Sequence, residues 1–260
     1  PHPVVDLRVF ANRSYTAGTG LNFLTGFALF SGSYMFSLFA GAVMHYSALE
    51  IGKVFLVAGV VSVFIMPLMG RLAPRMDGRI LLAIGVTVVA LSQVAAAQLT
   101  QQAGFWDMVK PNMIRSFGLG FIFIPVSVMA LSGLAASQRG NATGLFNLTR
   151  ELGGSLGTAL MGMLVTNDIK RFGSYLSENV YASNPLAQER LAALSGSLGS
   201  QTVQRELVAE SVLKLQTTTQ AMVQSFENGF RWTAFVMSLG LVLVVLLKRP
   251  ESAVTVEGAH

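Results

Sequence analysis

Residues Asn141–Val165, NATGLFNLTRELGGSLGTALMGMLV, form a mainly apolar stretch that contains an adjacent arginine and glutamate, Arg150 and Glu151. About 20 helical residues, at a rise of ~1.5 Å each, cover the ~30 Å of hydrocarbon in a bilayer. The stretch is therefore long enough to cross a membrane. It predicts a transmembrane helix with an ionisable pair inside it.

The same stretch is unusually rich in glycine. Gly153 and Gly157 are four residues apart, and a second row of small residues runs beside them: Gly154, Thr158 and Gly162. Glycine in a helix interior costs ~1 kcal/mol relative to alanine in water, but in a membrane small residues let two helix backbones approach closely. We predict that this seam packs against the second span or against a helix outside this chain, and moves there. Ordinary close packing without a role in motion is the alternative.

Composition places the chain among membrane proteins. It has 260 residues, of which 52% are hydrophobic and 12% charged, and its mean hydropathy is +0.56; soluble domains carry ~25% charged residues. Without cysteine it can form neither disulfides nor thiolate metal sites, and His2, His45 and His260 are too scattered for a metal or haem site. The absence of a starting methionine at Pro1 suggests a piece of a longer chain.

Six apolar segments predict six transmembrane helices at about 21–44, 54–70, 80–99, 113–134, 144–166 and 230–247. Pro67 and Pro125 are expected to bend the second and fourth. The first is rich in hydroxyl and amide side chains, and such groups in hydrocarbon normally face other helices or a cavity. We interpret it as a cavity-lining helix; bonds from these side chains to their own i−4 carbonyls are the alternative.

The section 167–226 is long and polar, and its basic and acidic residues balance, which excludes a basic face for nucleic acid. Apolar residues recur in it at helical spacing from Val203 to Phe226, which predicts an amphipathic helix on the membrane surface or against a partner. Packing within the loop itself is the alternative.

Basic residues concentrate on one side of the predicted topology. That side holds Arg8, Arg13, Arg71, Arg75, Arg79, Arg139, Lys248 and Arg249, whereas the short loops opposite hold only Lys53 and Lys110. By the positive-inside rule both termini are cytoplasmic. Section 167–226 then lies outside the membrane, on its non-cytoplasmic face.

Four motifs carry a resemblance to a known family: PVVDLRVF at 3–10, the basic loop GRLAPRMDGR at 70–79, the Pro111/Arg115/Gly118/Gly120 cluster ahead of FIPVS, and NLTRELGGSLGTAL at 147–160. The last is the most specific. Over nearly its whole length the chain resembles the C-terminal half of the 14-helix drug:proton antiporters of the EmrB/QacA type, in the major facilitator superfamily.

This resemblance implies an all-α integral membrane protein in which six transmembrane helices form one half of a major facilitator fold, with a long extracytoplasmic loop before the last helix. In that scheme the first and fourth spans line a central cavity, and the second and fifth rock against the other half. The implied cavity residues are Asn22, Thr25, Phe30, Ser33, Tyr34, Phe121 and Ser127. The implied coupling or gating residues are Arg115, Arg150, Glu151, Gly153, Gly154 and Gly157. The cytoplasmic basic loop contributes Arg71, Arg75, Asp77 and Arg79.

The implied function is proton-coupled efflux of amphiphilic or cationic drugs across the bacterial inner membrane, driven by the proton gradient, with no enzyme activity, cofactor or metal. The implied partners are the N-terminal half, the lipid bilayer, small amphiphilic substrates and, in a Gram-negative host, a periplasmic adaptor with an outer-membrane channel. Export of a native metabolite or lipid, and a non-transporting scaffold subunit, are the alternatives. Glu151 is the deepest carboxylate, toward the cytoplasmic end of the fifth span, so we expect the principal protonation site in the other half.

Overall fold

The computed structural model of the chain describes residues 7–181 and 202–247, and within them the side chains of 8–135, 137–172, 215, 216 and 218–247. All regular structure in these ranges is helical. A short 3₁₀ helix, Leu7–Ala11, precedes seven α-helices: α1 Arg13–Ala42, α2 Ala48–Leu72, α3 Gly78–Ala96, α4 Phe105–Ser132, α5 Ala136–Tyr181, α6 Thr202–Ser238 and α7 Gly240–Leu246.

Polar side chains fix where the first three helices begin. The Asn12 side chain accepts hydrogen bonds from the backbone of Ser14 (2.9 Å) and Tyr15 (3.3 Å), which caps α1. Ser47 and Glu50 form a capping box at α2, with the Ser47 N–H donating to the Glu50 carboxylate over 2.8 Å. Asp77 caps α3. These side chains satisfy backbone N–H groups that have no partner inside the helix.

Five helical segments of the described ranges are long and apolar enough to cross a membrane: Arg13–Ala42, Ala48–Leu72, Gly78–Ala96, Phe105–Ser132 and Thr218–Leu246. The α5 helix does not reach this composition, because it contains Arg150, Glu151, many glycines and several hydroxyls. It joins the bundle through its packing against α1.

The α1 helix lies at the centre of the bundle. It packs most extensively against α5 and also contacts α4 and α6, while α3 packs on α4 and α6. The α2 helix lies at the edge, where it contacts mainly α4 and exposes large apolar side chains, among them Leu56 (67% exposed), Val63 (69%) and Phe64 (72%). An apolar face of this extent is expected to contact lipid or another protein rather than water.

Except for α3, the long helices exceed the predicted spans. The α1 helix begins at Arg13 rather than near residue 21, and α4 begins at Phe105 rather than near residue 113. Apolar runs mark the hydrocarbon, whereas the helices continue through polar turns to their caps. The α2 and α4 helices also continue through Pro67 and Pro125, so the expected bends do not interrupt them.

The predicted loop at 167–226 is largely helical. The α5 helix runs on to Tyr181, and α6 begins at Thr202 and continues into the last span without a break. The predicted amphipathic helix is therefore the first part of α6, and 182–201 lie outside the described residues. The spacing of the apolar residues indicated a helix but not its continuity with the span.

Candidate functional site

The α1 and α5 helices run parallel and in close contact. The Tyr15 hydroxyl donates to the Ala142 carbonyl (2.8 Å), and the Asn22 side chain donates to the Phe146 carbonyl (2.6 Å). Residues later in α1 contact residues later in α5, so the two helices run in the same direction. A position along α5 can therefore be matched to a position along α1. Both donors are buried, so these bonds tie the helices together in a medium without competing water.

The glycine seam of α5 packs against α1 in this structure. A Cβ added at Gly153 would overlap the Phe23 carbonyl oxygen, and one at Gly157 would lie 2.9 Å from the Phe27 carbonyl oxygen. The contact is reciprocal, since a Cβ at Gly26 of α1 would overlap the Arg150 carbonyl. The predicted close approach is present, but its partner is the first span, and neither the second span nor an outside helix fills it.

Gly154 lies at the same seam, beside the Phe30 ring. A second glycine contact joins α3 to α4, where a Cβ at Gly85 would lie 2.9 Å from the Gly118 carbonyl and one at Gly118 would lie 3.0 Å from the Gly85 carbonyl. Backbone contacts of this kind hold helices together where lipid supplies no hydrophobic driving force.

Arg150 and Glu151 lie close to mid-height of α1. The Arg150 carbonyl touches Gly26, about 20 Å from the start of α1 and ~24 Å from its end. Gly26 is five residues past the start of the predicted first span, near residue 21, so the pair lies about 8 Å inside that end of the apolar run.

Neighbouring residues on a helix point about 100° apart and need not meet. The side chains of Arg150 and Glu151 do form an ion pair, with Arg150 Nη2 3.6 Å from Glu151 Oε1. The Arg150 guanidinium also lies 5.7 Å from the centroid of the Phe123 ring of α4, an arrangement suited to cation–π attraction. The Arg150 side chain is 30% exposed and that of Glu151 56%. Glu151 is therefore a carboxylate within the length of α1 that points away from the packed bundle.

Glu151 lies at one edge of the exposed face of α5. The residues four before and four after it, Asn147 and Ser155, are polar and exposed. The same exposed face carries leucines at every fourth residue: Leu148, Leu152, Leu156 and Leu160. This face lies opposite the glycine seam, so α5 buries its small residues against α1 and presents its large ones outward.

Arg115 is buried between α1, α3 and α4, with 4% of its surface exposed. Its Nη2 donates to Asn112 Oδ1 (2.9 Å) and to Ser33 Oγ (3.2 Å), and its guanidinium lies 5.7 Å from the centroid of the Phe36 ring. Its Nε and Nη1 have no hydrogen-bond partner, and no described carboxylate lies within ion-pair distance. Arg115 therefore contacts neighbouring helices and is shielded from the surface of the bundle.

Gln93 of α3 adjoins this arginine. It is fully buried, and both atoms of its amide lack a hydrogen-bond partner. Neither Gln93 nor Asn112 is among the residues predicted from the sequence. For Gln93 the available signal was the one amide in the mainly apolar run LLAIGVTVVALSQVAA, at 81–96.

The seven cavity candidates divide into two groups. Phe30, Ser33, Tyr34 and Ser127 are partly exposed. Asn22, Thr25 and Phe121 are buried and line no open space in this structure: Asn22 bonds to α5, the Thr25 hydroxyl donates to its own i−4 carbonyl of Leu21 (2.8 Å), and Phe121 packs near Ile65 of α2. The alternative stated for hydroxyls in the first span thus holds for Thr25. It holds also for Ser31 and Ser33, whose hydroxyls donate to the Phe27 and Leu29 carbonyls (2.5 and 2.8 Å).

The loop between α2 and α3 carries the predicted basic cluster. Arg71 and Arg75 are exposed, and Arg79 is partly buried. Asp77 accepts a hydrogen bond from the Arg79 backbone N–H (3.1 Å) as the cap of α3. Asp77 thus has a structural role in starting a helix.

Comparison with known proteins gives one family match and a set of consistent relatives. A family model described as Major Facilitator Superfamily matches residues 1–158. The chain is 28% identical, over 96% of its length, to the colistin resistance protein EmrB of Acinetobacter baumannii, and 29% identical, over 94%, to the multidrug export protein EmrB of Escherichia coli K12. It is also 28% identical, over 96%, to the multidrug export protein EmrB of Haemophilus influenzae.

These matches cover 49%, 46% and 48% of the relatives, so the chain spans about half the length of the curated proteins it matches. They confirm the resemblance to EmrB-type proteins. Together with the apolar helices, they identify an all-α, multi-pass membrane protein.

Proposed function

From the premise that this chain belongs to the major facilitator superfamily, we propose that it forms one half of a proton-coupled exporter of amphiphilic or cationic drugs, working by alternating access. The names of the EmrB relatives, which refer to multidrug export and colistin resistance, support the substrate class. These relatives are about twice as long as this chain, which supports a second half of similar size. The proton gradient supplies the energy, and no cofactor or metal takes part.

The observation that carries this proposal is the position of Glu151. Proton-coupled transport needs a carboxylate that can gain and lose a proton within the membrane. Glu151 lies near mid-height of α1, more than half of its side chain is exposed, and its pairing with Arg150 is long at 3.6 Å. A carboxylate with this access and a weak partner suits a group that alternates between charged and neutral forms.

A wall of the substrate cavity is supplied by the partly exposed face of α1. Phe30, Ser33 and Tyr34 lie on it, and Ser127 of α4 is exposed to a similar degree. Aromatic rings with a few hydroxyls are the lining expected for amphiphilic ligands, which need apolar area and sparse polar contacts.

The outward face of α5 is the surface at which the other half packs. It combines the leucine row with Glu151, and a carboxylate that changes charge at an interface between halves couples protonation to their separation. The glycine seam stays closed, so α1 and α5 move together. The moving contact is then the outward face of α5, and not the glycine seam that the sequence predicted.

Beyond the membrane, α5 and α6 provide a surface for a periplasmic adaptor. The first part of α6, from Thr202 to residue 219, rises ~27 Å past the level of the α3–α4 loop, whose residues Gln101 and Gln102 border the same groove as Gln220 and Gln224. A helical projection of this length offers a docking surface. Gram-negative exporters of this kind would pass substrate through the adaptor to an outer-membrane channel.

The export function is tested with the full-length protein in cells that lack their own drug exporters. We expect cells that express it to accumulate less of a fluorescent amphiphilic cation, and an uncoupler that collapses the proton gradient to remove the difference. Cells that express an equal amount of a Glu151→Gln variant serve as the control for expression. Equal accumulation with and without the protein, for a panel of amphiphiles, would refute the proposal.

The orientation can be tested separately, because the chain contains no cysteine. We expect a cysteine at Gln102, which is exposed in the α3–α4 loop, to react with an impermeant thiol reagent in intact spheroplasts. A cysteine at Arg75, exposed in the basic loop, should react only after the membrane is opened. The reverse pattern would invert the proposed topology. The Ser183 and Ser197 positions in the predicted outer loop would also report on it, but they lie outside the described residues.

A further inference from the structure

Among the residues that the structure describes, none supplies a counter-ion to the buried positive charge of Arg115. The guanidinium is held by Ser33 and Asn112, both neutral, and faces an aromatic ring. Asn112 donates from Nδ2 to the Met108 carbonyl (3.2 Å), which turns its oxygen toward the arginine. The amide is thus oriented to accept from a cation.

Gln93 occupies the position where a counter-ion would be expected. A Cβ added at Gly32 would lie 2.6 Å from Arg115 Nη1 and 3.0 Å from Gln93 Nε2, so both side chains border the same point on α1. Arg115 Nη1 and both atoms of the Gln93 amide lack partners. The oxygen and nitrogen of an amide are interchangeable by a flip, so Gln93 can turn an acceptor toward the guanidinium without bringing a negative charge.

We propose that Gln93 is a specificity-determining residue: because its amide is neutral, Arg115, which Ser33 and Asn112 position, stays an unneutralised cation, and that charge lowers the affinity for cationic relative to neutral amphiphiles at the adjoining face of α1. The inference rests on the proposed drug-binding function. Ser33, which bonds to Arg115, neighbours Tyr34 on the partly exposed face. A unit charge about 10 Å from a ligand charge, at an effective dielectric constant of ~20, changes affinity on the order of tenfold.

The test compares ligands of different charge, because a purely structural role would affect them equally. Dissociation constants of ethidium, a permanent cation, and Nile red, which is neutral, are measured on the purified full-length protein. Gln93→Glu places a carboxylate of nearly the same shape beside Arg115 and should raise the affinity for ethidium relative to Nile red about tenfold. Arg115→Met removes the same unit of charge and should change the ratio in the same direction.

Gln98→Glu is the matched control. It adds the same charge at an exposed position just beyond α3, where water and salt screen it. The ratio of the ethidium affinity to the Nile red affinity should therefore stay within about twofold of the parental value. An unchanged ratio in folded Gln93→Glu and Arg115→Met proteins would overturn the inference; if Gln93→Glu does not fold, Arg115→Met decides. A parental protein that binds both dyes but exports neither would refute the export function and leave the charge comparison valid. One that binds neither would refute both.

Discussion

Replacing Gly153 by leucine should prevent α5 from packing on α1 and remove most of the folded protein from the membrane. The added side chain would start inside the space held by the Phe23 carbonyl, which is helix backbone and cannot rotate away. Overpacking costs typically 1–3 kcal/mol, and a backbone obstacle places this site at about 3 kcal/mol, a shift of more than 100-fold in a folding equilibrium. Membrane abundance and thermal unfolding of the purified protein measure the loss.

Gly144 provides a matched control on the same helix, because a Cβ added there meets nothing within 4 Å. Gly144→Leu should therefore leave abundance and unfolding temperature near those of the parent. Gly157→Leu should fall between the two, since its nearest obstacle is 2.9 Å away, and should impair transport before it prevents folding. If Gly153→Leu and Gly144→Leu behave alike, the α1–α5 contact seen here is not the one that holds the protein together.

Replacing Glu151 by glutamine should abolish proton coupling while the protein stays folded. The glutamine has almost the same shape but cannot exchange a proton, and the parent side chain is more than half exposed, so little packing is lost. In proteoliposomes we expect substrate-driven proton movement to fall at least 100-fold and substrate binding to change by less than about threefold.

Glu227→Gln is the control for this result. Glu227 pairs with Arg231 on α6 near the groove at the α3–α4 loop, well away from mid-height of α1, and its loss should leave coupling unchanged. If the Glu151→Gln protein moves protons at the rate of the parental protein, this carboxylate is excluded as the coupling group. The principal protonation site would then lie in the other half, as the sequence alone suggested.

The structure changes what the fifth helix can do. The sequence interpretation made the glycine seam the moving surface and Arg150 a coupling or gating residue. In the structure the seam is closed on α1 and held by two side chain–backbone bonds, while the Arg150 guanidinium lies against the Phe123 ring of α4. The free surface of α5 is the opposite face, with its leucines and Glu151. Motion between halves at that face leaves the seam intact.

Several features followed from the sequence by direct physical reasoning. Low charge and long apolar runs require a membrane, and a chain in lipid must satisfy its backbone hydrogen bonds, which predicts helices. Gly153 and Gly157 predicted a close backbone contact, and the motifs of the fifth span predicted the family before any comparison.

Only the tertiary structure decided which side of each helix is inside. Asn22 and Thr25 are buried, whereas Phe30 and Tyr34 of the same helix are partly exposed; the seam meets α1, and Gln93 lies beside Arg115. In a soluble protein an apolar stripe identifies the buried face of a helix. In a membrane, lipid is as apolar as a neighbouring helix, so the periodicity of hydrophobic residues does not distinguish the two, and partners are chosen by shape and by a few polar contacts between residues far apart in sequence.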